Sequence, residues 1–67
     1  MELYKIPNNT WVKVKNPEGA PPGAREVLEG EEIKFHHIDG MYSYCHDKNG
    51  NVVHLKAWQE VEIVDEK

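Results

Sequence analysis

The sequence predicts an all-β domain in which about five or six short strands close into a small barrel. Three observations support this prediction. Several short segments alternate apolar and polar residues and are rich in β-branched side chains, which is typical of half-buried strands. Asp-Gly and Asn-Gly pairs separate some of these segments and favour tight hairpin turns. No window of eleven residues carries a sustained apolar stripe at helical spacing.

The predicted strands cover residues 11–15 (WVKVK), 31–38 (EEIKFHHI), 41–46 (MYSYCH), 51–56 (NVVHLK) and 60–64 (EVEIV). The segment 3–6 (LYKI) is a weaker sixth candidate, because Pro7 stops it. Residues 16–24 (NPEGAPPGA) hold three of the four prolines and cannot form a central strand. They predict one long loop between the first two strands.

Length and composition indicate one small domain. The chain has 67 residues, of which 39% are apolar, so nearly every apolar side chain must join a single core. We therefore expect residues 1–67 to form one domain with a frayed tail at 65–67. Little chain remains for a deep catalytic pocket. The sequence thus predicts a protein that is not an enzyme and that carries no cofactor.

Charge and cysteine content narrow the classes of partner and compartment. Twelve acidic against eight basic residues give a net charge of −4, whereas phosphate binding needs clustered Lys and Arg. No apolar run is long enough to span a membrane, and MELYKIPNNT lacks the features of a signal peptide. The single cysteine, Cys45, makes no internal disulfide, which fits a reducing compartment. We therefore expect a cytoplasmic protein that binds neither membrane nor nucleic acid.

The two turn pairs also predict which side chains face the core. With two-residue turns at Asp39-Gly40 and Asn49-Gly50, the inward side chains are Ile33, Phe35, Tyr42, Tyr44, Val53 and Leu55. In the alternative register, both turns are three-residue loops with glycine in the bulge position. Met41, Ser43 and Cys45 then turn inward, and both tyrosines turn outward. We favour the first register because its core is larger.

Three stretches resemble an SH3-type barrel and together cover about half of the chain in the family's order. VLEGEEIKF at 27–35 resembles the diverging turn and the strand after it, and DGMYS at 39–43 resembles the next turn and strand. NGNVVHLKAWQEVEIV at 49–64 resembles the last hairpin, a single 3₁₀ turn at 56–59 and the closing strand. The resemblance implies an SH3-like barrel whose long first loop is 16–24. It also supports the first register.

The residues of the polyproline groove depart from the family's pattern. LYKI stands where SH3 domains have ALYDY, Met41 replaces the exposed tryptophan, and KAWQ replaces P-x-x-Y. The resemblance therefore implies the barrel without polyproline recognition. Its ligand surface would lie between the 16–24 loop, the Asp39-Gly40 turn and the 3₁₀ turn, which indicates Tyr4, Met41 and Trp58 as binding residues.

These residues predict a non-catalytic protein–protein interaction module that is monomeric or a weak homo-oligomer. Exposed aromatic side chains would supply the contact. The acidic cluster of Glu26, Glu29, Glu31 and Glu32 would form a rim that steers a basic partner. A solitary small barrel resembles bacterial and phage accessory or inhibitor proteins, so we expect a protein of that type.

Two alternative functions remain open at this point. Trp11 with Lys13 and Lys15 forms a basic, aromatic strand of the kind on which small barrels stack single-stranded nucleic acid. In the favoured register, Cys45 lies opposite His54 with His36 diagonal to it, and these are donors that zinc prefers. We predict no native metal site, because the chain has no C-x-x-C pair and no evident fourth ligand.

Overall fold

The computed structural model describes residues 1–18 and 25–64, which form one five-stranded antiparallel sheet. A 3₁₀ helix at Leu3–Lys5 precedes β1 (Thr10–Val14), β2 (Glu32–Asp39), β3 (Tyr42–His46), β4 (Val52–Val53) and β5 (Val61–Ile63). The described residues contain no α-helix. The all-β class is confirmed, and each observed strand lies within one residue of a predicted segment. The weaker strand candidate at 3–6 is a 3₁₀ helix instead.

The strand order is β4-β3-β2-β1-β5, so β2, β3 and β4 form a meander and β5 returns to pair with β1. The predicted closure into a barrel does not occur, because no ladder joins β4 to β5 within the described residues. Residues of the N-terminal segment take the backbone partners nearby. Val61 N–H donates to Met1 O at 2.8 Å, and Leu3 N–H donates to Gln59 O at 2.9 Å.

The turn before β5 is present, with Gln59 N–H donating to Lys56 O at 2.9 Å. This bond has the spacing of a single 3₁₀ turn, although among the described residues only Leu3–Lys5 forms a 3₁₀ helix. The predicted loop at 16–24 is described only to residue 18, and the predicted frayed tail at 65–67 lies outside the described residues. Within residues 1–18 and 25–64, no helix has the length and apolar character to cross a membrane.

The register between β2 and β3 differs from the one we favoured. Asp39 pairs with Tyr42 across a turn at Gly40 and Met41, and a β-bulge interrupts the ladder between Phe35 and His37. The extra residue reverses the alternation along β2 relative to β3. The prediction that both tyrosines face the core is therefore wrong, since Tyr42 and Tyr44 are only partly buried.

Ser43 and Cys45 are fully buried, as the alternative register predicted for them, whereas Met41 is exposed. Ser43 can enter the core because its hydroxyl is satisfied there. Its Oγ donates to Leu55 O at 2.9 Å and accepts a hydrogen bond from Leu55 N–H at 3.2 Å. A buried hydroxyl with partners costs little, whereas one without partners is strongly destabilising.

The core is aliphatic apart from Phe35 and Cys45, and it needs no tyrosine. Its N-terminal members, Leu3 and Ile6, come from the segment that precedes β1. Ile38 packs against the core from the far end of β2. The buried apolar side chains are Leu3, Ile6, Val12, Val14, Val27, Ile33, Phe35, Cys45, Val53, Leu55 and Val61.

Candidate binding surface

The three residues predicted to bind a partner come together around the backbone of Ala57. Tyr4 N–H donates to Ala57 O at 2.9 Å, and Ala57 N–H donates to Met41 O at 2.9 Å. Trp58 follows directly in the chain. Backbone hydrogen bonds thus hold Tyr4, Met41, Ala57 and Trp58 at one place, and we call these four residues the Ala57 surface.

The large side chains of the Ala57 surface are exposed. Tyr4 is 53%, Met41 62% and Trp58 41% accessible to solvent. A Trp58 side chain enclosed by the core could not contact a partner, but in this structure the side chain is not enclosed. Exposed apolar side chains that lie together often mark an interaction site, whereas single ones do not.

The Trp58 ring is held in place at its edge. Its Nε1–H donates to Glu18 Oε1 at 3.1 Å, and Lys56 Nζ lies 5.9 Å from the ring centroid. Glu18 is the last residue that the structure describes before residue 25, so the described start of the segment 16–24 borders the tryptophan. An aromatic side chain with a fixed edge loses little conformational freedom when a partner covers it.

Gln59, the residue after Trp58, supports the Ala57 surface with a buried side chain. The sequence did not indicate this role. The Gln59 side chain is fully buried, and its Nε2 donates to Lys15 O at 2.6 Å and to Glu60 O at 3.0 Å. Its Oε1 accepts the N–H of Glu18 at 3.1 Å. The period-two spacing of Gln59 and Val61 was the available signal, but a glutamine is rarely fully buried.

The predicted acidic rim is largely paired within the protein. Glu29 lies 3.9 Å from Lys15, Glu32 lies 2.9 Å from Lys48, and Glu31 forms an ion pair with Arg25. These pairs reduce the negative field that the cluster would present to a partner.

Arg25 also joins the start of β2 to the turn after β3. One guanidinium nitrogen lies 3.1 Å from Asp47 Oδ2 and also contacts Glu31. Backbone N–H groups of Asn51 and Asn49 donate to Asp47, and these bonds hold the pKa of Asp47 below its ordinary value. The hydrogen bond from Arg25 likewise lowers the pKa of Glu31. Both carboxylates are therefore committed to internal bonds.

The zinc arrangement that the sequence left open is wrong. Cys45 is fully buried on the core side, and burial raises the pKa of its thiol. His36 and His54 lie on the outer face, where their rings surround Tyr44. The described residues contain no group of three or more His, Cys, Asp or Glu that could hold a metal ion.

The basic strand that the sequence left open for nucleic acid is flanked by acidic residues. Lys13 pairs in register with Glu32 on β2 and with Glu62 on β5, and Lys15 lies near Glu29. Carboxylates beside these lysines oppose the approach of phosphate groups.

Comparison with known proteins does not assign this chain to a family. No protein-family model matches it, and neither the curated proteins nor the solved structures contain a match. The described fold is an open, five-stranded antiparallel sheet with one 3₁₀ helix.

Proposed function

We propose that this chain is a non-catalytic interaction domain that binds a protein partner through the Ala57 surface. The observation that carries this proposal is that three residues with exposed large side chains, at positions 4, 41 and 58, are joined by backbone bonds to Ala57 or follow it in the chain. Residues so far apart in sequence form a fixed surface only because the fold brings them together. Aromatic anchors on a rigid scaffold are typical of interface hot spots.

Three features support an SH3-like interpretation of the fold. β2, β3 and β4 form a meander, β5 lies beside β1, and a single turn precedes β5. The Ala57 surface is bordered by Glu18 at the start of the long segment and by the turn at Gly40 and Met41. The open edge between β4 and β5 is a departure from a closed barrel.

The Ala57 surface favours a partner segment that presents apolar side chains, because charges of both signs lie at its margin. Lys5 lies over the ring of Tyr4 and pairs with Glu2, and Lys56 lies over the ring of Trp58, whose edge contacts Glu18. Met41 adds a flexible thioether that can repack against different shapes. An apolar segment would thus meet three large side chains without leaving a charge of one sign unmatched.

Trp58→Ala is the variant that tests this proposal, with Leu28→Ala as its matched control. Leu28 is a large apolar residue that is 72% exposed and lies in the turn before β2. A partner would be captured on the wild-type protein, purified, and titrated against all three proteins. We expect Trp58→Ala to weaken binding by about 30-fold, the equivalent of about 2 kcal/mol, and Leu28→Ala to leave it unchanged.

Thermal unfolding of the same proteins completes the test. Trp58→Ala should melt close to the wild-type temperature, because the side chain it removes is exposed. Parallel losses of stability and affinity would mean that Trp58 serves the fold. An equal loss of affinity in Leu28→Ala would mean that the partner binds elsewhere.

A further inference from the structure

A cluster of histidines, separate from the Ala57 surface, lies on the outer face of β2 and β3. All four histidines of the chain surround the ring of Tyr44, with centroid distances of 5.2 Å for His46, 5.4 Å for His37, 5.5 Å for His36 and 6.3 Å for His54. The β-bulge causes this clustering, because it places His36 and His37 on the same face opposite Tyr44.

Two of these imidazoles are in direct contact. His36 Nε2 lies 2.6 Å from His46 Nδ1, and the rings meet edge to face with centroids 4.7 Å apart. We call these two residues the imidazole pair. His37 stacks on the tyrosine ring, and His54 Nδ1 donates to Ser43 O at 2.9 Å. The imidazole pair is therefore chemically distinct from the other two histidines.

Asn9 determines which nitrogen of His36 carries a lone pair. His36 Nδ1 lies 3.2 Å from Asn9 Oδ1, which can only accept a hydrogen bond, so Nδ1 carries the hydrogen. Nε2 of the neutral ring then has a free lone pair directed at His46, whose Nδ1–H donates to it.

We propose that the imidazole pair is an open binding site for a divalent transition-metal ion, held by His36 Nε2 and His46 Nδ1. The ion would replace the hydrogen that now lies between the two nitrogens. The ring of His46 would then carry its hydrogen on Nε2 instead of Nδ1. Both imidazoles stay neutral, and the number of protons on the protein does not change. Asn9 would remain on the far nitrogen of His36 and orient the ring, as outer partners of metal-bound histidines do.

The geometry requires only a small opening of the pair. Metal–nitrogen distances of about 2.0–2.1 Å place two ligand nitrogens about 2.9 Å apart at a right angle and about 3.3 Å apart in a tetrahedron. From the present 2.6 Å, the nitrogens would separate by roughly 0.3–0.7 Å, with a swivel of each ring toward the ion. The smaller movement is the one for square-planar coordination.

The ligand chemistry selects the class of ion. Imidazole nitrogen suits copper, nickel and zinc, and affinity for a given site rises from nickel to copper and falls again at zinc. Magnesium and calcium prefer oxygen ligands and are not expected to bind. Because no group of three or more ligating side chains occurs in residues 1–18 and 25–64, water would fill the remaining positions.

The test is a titration of the untagged, full-length chain with Cu²⁺ and Ni²⁺ by calorimetry at pH 7.5. His36→Gln and His46→Gln should each lower the affinity for Cu²⁺ by at least about tenfold, the loss that even an outer-shell change produces. The matched controls His37→Gln and His54→Gln should stay within about twofold, since both residues contact Tyr44 without joining the imidazole pair. Thermal melts without metal would verify that each variant is folded.

Asn9→Gly probes the tautomer argument separately. Asn9 has a φ of 63°, a conformation that glycine adopts without strain, so the variant removes the amide oxygen and keeps the backbone. We expect about tenfold weaker Cu²⁺ binding.

Line broadening by sub-stoichiometric Cu²⁺ in the unmodified protein provides a readout that does not depend on any variant. The ring signals of His36 and His46 should disappear first in the NMR spectrum. Broadening that begins at the Met1 amine or at His37, or a double variant His36→Gln/His46→Gln that binds like the wild type, would overturn the proposal.

Discussion

Gln59→Leu tests how the Ala57 surface is supported. The substitution keeps roughly the volume and apolar packing of the buried side chain but removes every hydrogen bond that its amide makes. Those bonds connect Gln59 to the carbonyls of Lys15, Asn16 and Glu60 and to the N–H of Glu18. The variant therefore separates hydrogen bonding from packing at one position.

The expected loss follows from these contacts. Three of the four bonds are 3.1 Å or shorter, and a net contribution of about 0.5–1.5 kcal/mol each gives a loss of about 1.5–4.5 kcal/mol. A 67-residue domain has a free energy of unfolding of about 3–10 kcal/mol. The melting temperature should fall by roughly 6–36 °C, since each kcal/mol shifts it by about 4–8 °C at this size.

Urea denaturation and thermal melting at neutral pH would measure the loss. Glu62→Gln is the control, because Glu62 is an exposed neighbour on β5 and should change stability by less than about 0.5 kcal/mol. If Gln59→Leu were as stable as this control, the buried amide would not support the turn. The account of how Trp58 is held would then be incorrect.

Two further predictions concern the register and the histidines. Phe35→Ala should lower the free energy of unfolding, measured by urea denaturation, by about 3–5 kcal/mol, because Phe35 is buried in the core. Tyr44→Ala, on the outer face, should lower it by about 1 kcal/mol, and equal losses would contradict the register between β2 and β3. Burial lowers the pKa of His36 in the folded state. As the pH falls below about 6.5, the ordinary pKa of histidine, His36 therefore takes up a proton more readily in the unfolded chain than in the folded one. The free energy of unfolding should therefore fall as the pH drops below about 6.5. A second fall is expected below about pH 4, where Glu31 and Asp47, whose pKa values are lowered in the folded state, become protonated. In thermal melts between pH 5 and 7.5, His36→Gln should lose less stability on acidification than the wild type, and an equal loss would contradict this origin.

The candidate site could be predicted in part. Tyr4, Met41 and Trp58 were indicated by the resemblance to SH3 domains, and two backbone hydrogen bonds of Ala57 bring Tyr4 and Met41 next to the residue that precedes Trp58. Whether they bind a partner stays a prediction. Gln59 could not be found, because its role depends on carbonyls of residues 15 and 16 that are more than forty positions away in sequence.

The positions of the strands were predictable from the sequence itself, because alternation acts over a few neighbouring residues. The exact turns were not: β2 and β3 join at Gly40 and Met41, and His46 pairs with Val52, so residues 47–51 join β3 and β4 instead of a two-residue turn at Asn49-Gly50. Which face of β3 is buried was decided only in the tertiary structure. One extra residue in β2, at the bulge before His37, reverses the pairing, and its benefit appears only when Ser43 finds the backbone of Leu55 inside the core. The barrel stayed open for a similar reason, since the N-terminal segment takes backbone partners at residues 57, 59 and 61 beside the closing edge. Contacts between distant segments settle both outcomes, and no local pattern encodes them.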